Sequence, residues 1–334
     1  MTQWNSKLER KILLKSRFTL TLTIARILLI LYIVFALWNT AIYLILDRNK
    51  YAEENQYFTQ LAVEWLVPNV KGSYVIHDEK ISNFGTQTYS YPLLKRVGHE
   101  DIVIGEAEVT KRLFSSLSTV EYSFSNQQSN EGLQFSLPED PRNSQKLTGN
   151  ADSNVWDTLE MLPEGTVGEL AFSTTSFMDA AQLLDLLKDY NIETVWMPLY
   201  TGEFVDYEQS GYGSGRRSLM VGGAIGLTGG FRAADNYSSM MWGVIVSTES
   251  LVESQQRMLA NMEKLLDKPE KYYRQVLGLD HLPEKYKYLK ETGFTVYGAV
   301  VTGPVKELLK LQDETFIQGE QLGEVELWNW DLSR

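Results

Sequence analysis

The chain has 334 residues, a formal net charge of −12 and no cysteine. Disulfides, cysteine-bearing zinc sites and a cysteine nucleophile are thereby excluded. The charge is unevenly placed. Lys7, Arg10, Lys11, Lys15, Arg17 and Arg26 against Glu9 alone give residues 1–26 a charge of +5, which leaves −17 for the remainder. An acidic body argues against nucleic acid and anionic lipid as its partners, whereas the basic tail suits inner-leaflet lipid or an acidic protein surface.

Residues 27–46, ILLILYIVFALWNTAIYLIL, contain no charge. As a helix they rise about 30 Å, the thickness of a bilayer's hydrocarbon core. The basic flank precedes them, which predicts a single transmembrane helix at the cell membrane with residues 1–26 as a cytoplasmic tail and everything later extracellular. A cleaved signal peptide would have a shorter apolar region ending in small residues, and Tyr43-Leu44-Ile45-Leu46-Asp47 offers none. Asn39 and Thr40 fall inside the span. Such a polar pair either loosens the helix, making it a candidate intramembrane cleavage region, or is simply tolerated.

Beyond the span, residues 48–66 read as a juxtamembrane helix with an aromatic face of Tyr51, Tyr57, Phe58 and Trp65, stopping near Pro68. Residues 47–125 then form a small β-rich module, with strands predicted at 74–76, 86–91, 102–104 and 120–124. Residues 126–155 are rich in Asn, Gln, Ser, Asp and Pro and read as a linker. Residues 156–334 form the second module. Strands are expected at 167–172, 194–200, 240–246, 294–301 and 324–328. Helices are expected through Met178 to Leu187, capped from Ser173–Ser176, and at 251–266, 272–277, 283–291 and 304–311. The order strand-helix-strand, insertion, strand-helix-strand gives an α+β class with a sheet carrying helices on one face. A ferredoxin-like core with residues 201–293 inserted is compatible with it.

No catalytic signature is present. His77, His99 and His281 lie beside acids without a second histidine at metal-ligand spacing, and they read as solvated loop residues. No alternating Asp/Asn/Gly calcium loop occurs. Neither a cofactor nor a metal is expected, and the chain reads as a non-enzyme. Gly211–Gly215 lacks the Gly-Lys-Ser/Thr ending of a phosphate loop, and Tyr212 removes the GxSxG pattern around Ser214. With Gly222–Gly230 it reads as flexible connection, or as a mobile recognition loop presenting Arg216 and Arg217. Asn236-Tyr237-Ser238 is a formal glycosylation acceptor, relevant only to a eukaryotic secretory route. Trp196, Trp242, Trp328 and Trp330 fall in or beside apolar strands and read as core.

Four segments carry a resemblance: GTVGELAFS (165–173), ETVWMPLYTGE (193–203), VYGAVVTGPVKELLKLQDE (296–314) and GEVELWNW (323–330). They resemble the C-terminal domain of bacterial sigma factor regulators. The basic tail, span, aromatic helix and VPNVKGSYV (67–75) are similar to that family's N-terminal domain. The resemblance implies a membrane-anchored, anti-sigma-like regulator of Firmicutes type, whose partners are an extracytoplasmic-function sigma factor or a companion anti-sigma membrane protein, with regulatory proteases. The tail has no Cys or His, so it is no zinc-containing anti-sigma domain. As a short helix it groups Trp4, Leu8, Ile12, Leu13 and Phe18 near one face with Arg10, Lys11 and Lys15 around it. That pattern suits docking in a partner's groove or lying on the bilayer surface. The alternative function is a tethered extracytoplasmic ligand-binding or scaffold protein without sigma contact.

Overall fold

In a computed structural model, residues 6–48, 51–112, 118–125, 132–149, 154–213, 217–229, 245–327 and 330 are described. Helix α1 (Ser6–Arg48) runs for 43 residues, so the span predicted at 27–46 continues unbroken into the basic tail. Its stretch Glu9–Ile45 is the one helix among the described residues long and apolar enough to cross a membrane. Helix α2 (Tyr51–Leu66) follows.

The first sheet is antiparallel, with β1 (Val70–Gly72), β3 (Thr86–Val97), β4 (Glu100–Arg112) and β5 (Ser118–Phe124) in that spatial order and β2 (His77–Ile81) also paired to β3. The strand expected at 74–76 is displaced to either side, into β1 and β2. Lys71 is buried in β1 while Tyr74 and Val75 are exposed, so apolar character alone misplaced the strand. On the sheet's packed face Tyr89, Tyr91, Leu93, Ala107 and Val109 form a core with Val63 of α2.

Residues 132–149 contain the short hairpin β6 (Glu139–Asp140) and β7 (Gln145–Lys146). Their few hydrophobes, Phe135, Leu137 and Leu147, are buried against the second sheet. Helix α3 (Val155–Met161) leads into β8 (Thr166–Asp179). Here the helix start expected at 173–176 is corrected. Thr174, Thr175 and Phe177 favour extended backbone, and β8 stays paired until Asp179, whose side chain accepts from Ala181 N at 2.7 Å and caps α4 (Ala180–Leu187).

The second sheet comprises β9 (Glu193–Tyr200), β12 (Gly226–Thr228), β13 (Thr295–Pro304) and β14 (Ile317–Leu327) around β8, in the order β12-β9-β13-β8-β14, all antiparallel. Between β9 and β12 lies a small pair, β10 (Gly211–Tyr212) and β11 (Met220–Val221). Edge strand β12 arises from the glycine-rich stretch read as a connection. Gly226 is required there, because a Cβ would lie 2.0 Å from the Trp196 ring. The strand expected at 240–246 lies largely outside the described residues, as do Trp242, Trp328 and Asn236.

Helices cover one face of this sheet. They are α4, α5 (Leu251–Leu266), a π-helical turn (Tyr272–Val276), α6 (Leu282–Thr292) and α7 (Val305–Leu309) with a 3-10 turn to Asp313. Helix α2 joins them: Tyr57, Phe58, Leu61, Ala62 and Trp65 belong to the same core as Leu183, Met262 and Leu308. The mixed α+β class expected from the sequence is thus the class observed.

Candidate functional site

The family-like segments named above are far apart in sequence, yet their polar residues meet where the first sheet docks on the second. Glu169 sits in β8 within the run VGELAF and is fully buried. Its carboxylate accepts from Asn69 Nδ2 at 2.7 Å and from the backbone N of Glu324 at 3.1 Å, and it pairs with Lys95 Nζ at 3.0 Å. The Lys95 side chain is itself only 7% exposed. A carboxylate so buried is tolerable because its acceptor sites are occupied and its charge is matched. Gly323 makes room for it, since a Cβ there would lie 2.0 Å from Glu169 Oε2. Asn69 takes positive φ (55°), which turns α2 into β1, and its Nδ2 also donates to the carbonyl of Arg96 at 2.8 Å.

The tip of the β3–β4 hairpin completes the junction. Gly98, at φ 61°, makes the tight turn, and its N–H donates to Thr302 Oγ1 at 2.7 Å. Thr302 in turn donates to the carbonyl of Gly168 at 2.9 Å. His99 stacks on Trp330 with ring centroids 4.1 Å apart, and its Nε2 lies 3.2 Å from Glu193. The expectation of a solvated His99 is therefore corrected: the hairpin tip carries it into the interface. Arg96 Nε stands 3.7 Å from Glu193, an ion-pair distance too long for a hydrogen bond. Burial raises the Glu193 carboxyl above its usual range, against the opposing pull of Arg96 and His99. Lys71 pairs with Asp101 at 2.6 Å, and burial lowers its ammonium in spite of that partner.

Helix α2 is bolted to the second module as well. Trp196 Nε1 donates to the carbonyl of Glu64 at 3.1 Å, Tyr57 donates to Asn261 Oδ1 at 2.7 Å, and Tyr272 donates to Asn55 Oδ1 at 2.8 Å. Lys268 pairs with Glu54. A cavity of about 40 Å³ lies between α2, β12 and α5, bordered by Trp65, Leu227 and Met258 with Asn69, Lys71 and Arg257 at its polar side. That is room for ordered water. Among the described residues no group of three or more His, Asp or Glu is placed to hold a metal. The arrangement fixes α2 and the first sheet to the second module as one polar, closely matched joint.

The described residues among those singled out from the sequence as candidate sites are not part of this junction. Arg10, Lys11, Ile12 and Lys15 are exposed on α1. Leu8 is helical but its side chain, like Trp4 and Arg216, lies outside the described residues. Asn39 is half-buried and Thr40 exposed. Arg217 is exposed, while its carbonyl accepts from Thr148 and Gly149 at 3.0 and 3.2 Å. Asn69, Lys95, Glu169, Glu193 and Thr302 were missed. A signal for one was present: a lone acid in an otherwise apolar strand, VGELAF, asks for a buried partner.

The comparisons with known proteins follow the same division. The profile of the sigma factor regulator N-terminal domain matches residues 10–102, and that of the sigma factor regulator C-terminal domain matches residues 159–324. The probable anti-sigma-M factor YhdL of Bacillus subtilis (strain 168) is 26% identical over 293 residues, covering 84% of this chain and 72% of that protein. No solved structure matches. With both domains present in order, and with the segments that define them converging on one joint, the chain belongs to the sigma factor regulator family.

Proposed function

We infer that the protein is an anti-sigma regulator that restrains a sigma factor from the membrane and couples an envelope signal to transcription. The observation that carries this is the tandem of both regulator domains behind an exposed cationic helix. In this reading α1 anchors the chain once, with the basic tail in the cytoplasm and the two modules outside, as its charge asymmetry favours. The partner is an extracytoplasmic-function sigma factor; the Bacillus relative is named as a probable anti-sigma-M factor. It is engaged by Leu8, Arg10, Lys11, Ile12 and Lys15 with Trp4, or through a companion anti-sigma membrane protein. Regulated proteolysis would free it. The protein acts by binding and not by catalysis. A ferredoxin-like assignment of the core formed by β8, β9, β13 and β14 belongs with this proposal. It rests on their strand order and on helices following β8 and β13.

Transcript profiling of a deletion strain tests the reading. A regulon that rises in the mutant, and falls again when the gene is restored, supports a negative regulator; an unchanged transcriptome sinks it. For the contact itself, solubilised full-length protein should retain a sigma factor or companion regulator on a column, and Arg10→Glu with Lys11→Glu should release it.

A further inference from the structure

The described side chains of α1 are exposed save two near its outer end, where Asn39 is half-buried and Ile42 only 2% exposed. On the same side Trp38 Nε1 donates to the backbone carbonyl of Asn83 at 2.9 Å. Asn83 lies at the tip of the β2–β3 hairpin. The turn is tied by Ser82, whose N–H donates to the Thr86 carbonyl at 2.8 Å and whose carbonyl accepts from Gly85 N at 2.9 Å. The tip presents Phe84, 83% exposed. His77, Asp78, Glu79 and Lys80 of β2 are exposed as well.

This contact constrains how deep the helix sits. If residues 27–46 filled the hydrocarbon, Trp38 would lie about 12 Å below the outer edge. The hairpin tip would then be at the same depth, drawing in Asn83, the open backbone of the tip and the charges that follow within about 10 Å along β2. A charge at bilayer mid-depth costs about 2.5–3.5 kcal/mol on insertion scales, and irregular backbone facing lipid is excluded. The other register uses Phe18–Trp38, again about 31 Å of helix. Its cost is Arg26, about 12 Å from the inner edge, whose long side chain reaches toward the headgroups. Thr19, Thr21 and Thr23 enter lipid without an unmet donor, since each hydroxyl bonds the carbonyl four residues back at 2.8–2.9 Å. One snorkelling cation is the smaller penalty.

We propose that α1 crosses the bilayer with residues 18–38, and that the β2–β3 hairpin tip rests on the outer lipid surface with Phe84 among the headgroups and Trp38 in the aromatic belt. This rests on the reading of α1 as a membrane anchor. Contact is through apolar surface, because the −17 charge of the body disfavours attraction to anionic headgroups. Asn39 and Thr40 then stand at the outer boundary and not at mid-span.

The chain has no cysteine, so single-cysteine variants report one position each. In intact cells a membrane-impermeant maleimide should label the full-length Thr40→Cys and Tyr43→Cys variants at least about tenfold faster than Leu22→Cys and Leu31→Cys, because lipid excludes the reagent. Phe84→Cys carrying an environment-sensitive dye, in vesicles of phosphatidylethanolamine and phosphatidylglycerol, should be quenched by headgroup-level spin-labelled lipid. The same dye on Asp185→Cys should not. Protein lost from carbonate-washed membranes overturns the anchor reading itself. Protein that stays in the membrane with Thr40→Cys and Tyr43→Cys shielded overturns the register alone, and an unquenched dye at position 84 overturns the hairpin contact.

Discussion

Helices α1 and α2 adjoin in sequence, and both are rich in apolar and aromatic side chains, but they meet opposite surroundings. Leu28, Leu29, Ile30 and Leu31 of α1 are each more than half exposed, whereas every residue from Tyr57 to Trp65 of α2 is buried, Thr59, Gln60 and Glu64 included. An exposed apolar helix asks for a solvent other than water. A helix buried on all sides, polar residues included, is held by specific partners: Trp196 on the Glu64 carbonyl, Asn261 on Tyr57, and Ser73, whose carbonyl accepts from Gln60 Nε2 at 2.5 Å. The contrast shows that hydrophobicity set the fate of α1 and matched shape and hydrogen bonding set that of α2.

The sharpest way to break the contrast is a pair of truncations in full-length, solubilised protein. Trp65→Ala should lower the unfolding free energy of the two modules by about 3–5 kcal/mol, as expected for a large buried aromatic. Leu29→Ala, of similar apolar character but exposed, should leave their melting within about 0.5 kcal/mol. Equal effects would mean that α1 also supports the fold.

Next is the joint that α2 leads into. Glu169→Ala should cost about 3–5 kcal/mol, because Lys95 stays buried without its counter-charge. Adding Lys95→Met should recover a large part of that loss; no recovery in denaturant titrations would show that Glu169 acts through Asn69 and the Glu324 backbone instead. A smaller effect, about 1 kcal/mol, is expected for Asp179→Ala, which removes the α4 cap without touching α2.

The smallest effect is a pH slope at the rim of the joint. Burial raises the Glu193 carboxyl, so the native state holds that proton more tightly than the unfolded chain, where it leaves near 4.5. Stability contributed at this site is therefore present below that value and lost as pH rises through the raised one. Glu193→Gln should flatten the fall in melting temperature over that window, and an unchanged profile would assign it to another group.

Much of the chain was legible beforehand, for stated reasons. Helix α5 was bounded correctly because Leu251, Met258, Leu259, Met262 and Leu266 keep a helical spacing, and Leu251, Met258 and Met262 are among its buried side chains. Strands β8, β9 and β13 were found from continuous apolar runs, which fits strands buried along most of their length. Edge strand β12 was missed because its Gly226 serves the neighbouring Trp196 ring, a long-range steric demand with no local signature. The joint was missed for a related reason. Glu169, Lys95 and Asn69 look like ordinary strand and turn residues until the fold brings them within 3.0 Å. Histidine beside acids was read as solvated, since nothing near His99 in sequence announces that Trp330 will stack on it.

Between Ser6 and Arg48 there is neither a proline nor a glycine; the first of each are Pro68 and Gly72. A rod of that make has no built-in swivel. Torque applied at its outer end is delivered to the basic tail and not absorbed on the way. A twist of α1 by one residue's worth of helix, about 100°, would turn a different set of side chains outward along the basic tail. If α1 is the membrane anchor proposed above, the message would cross the bilayer as rotation, with no need for the helix to slide.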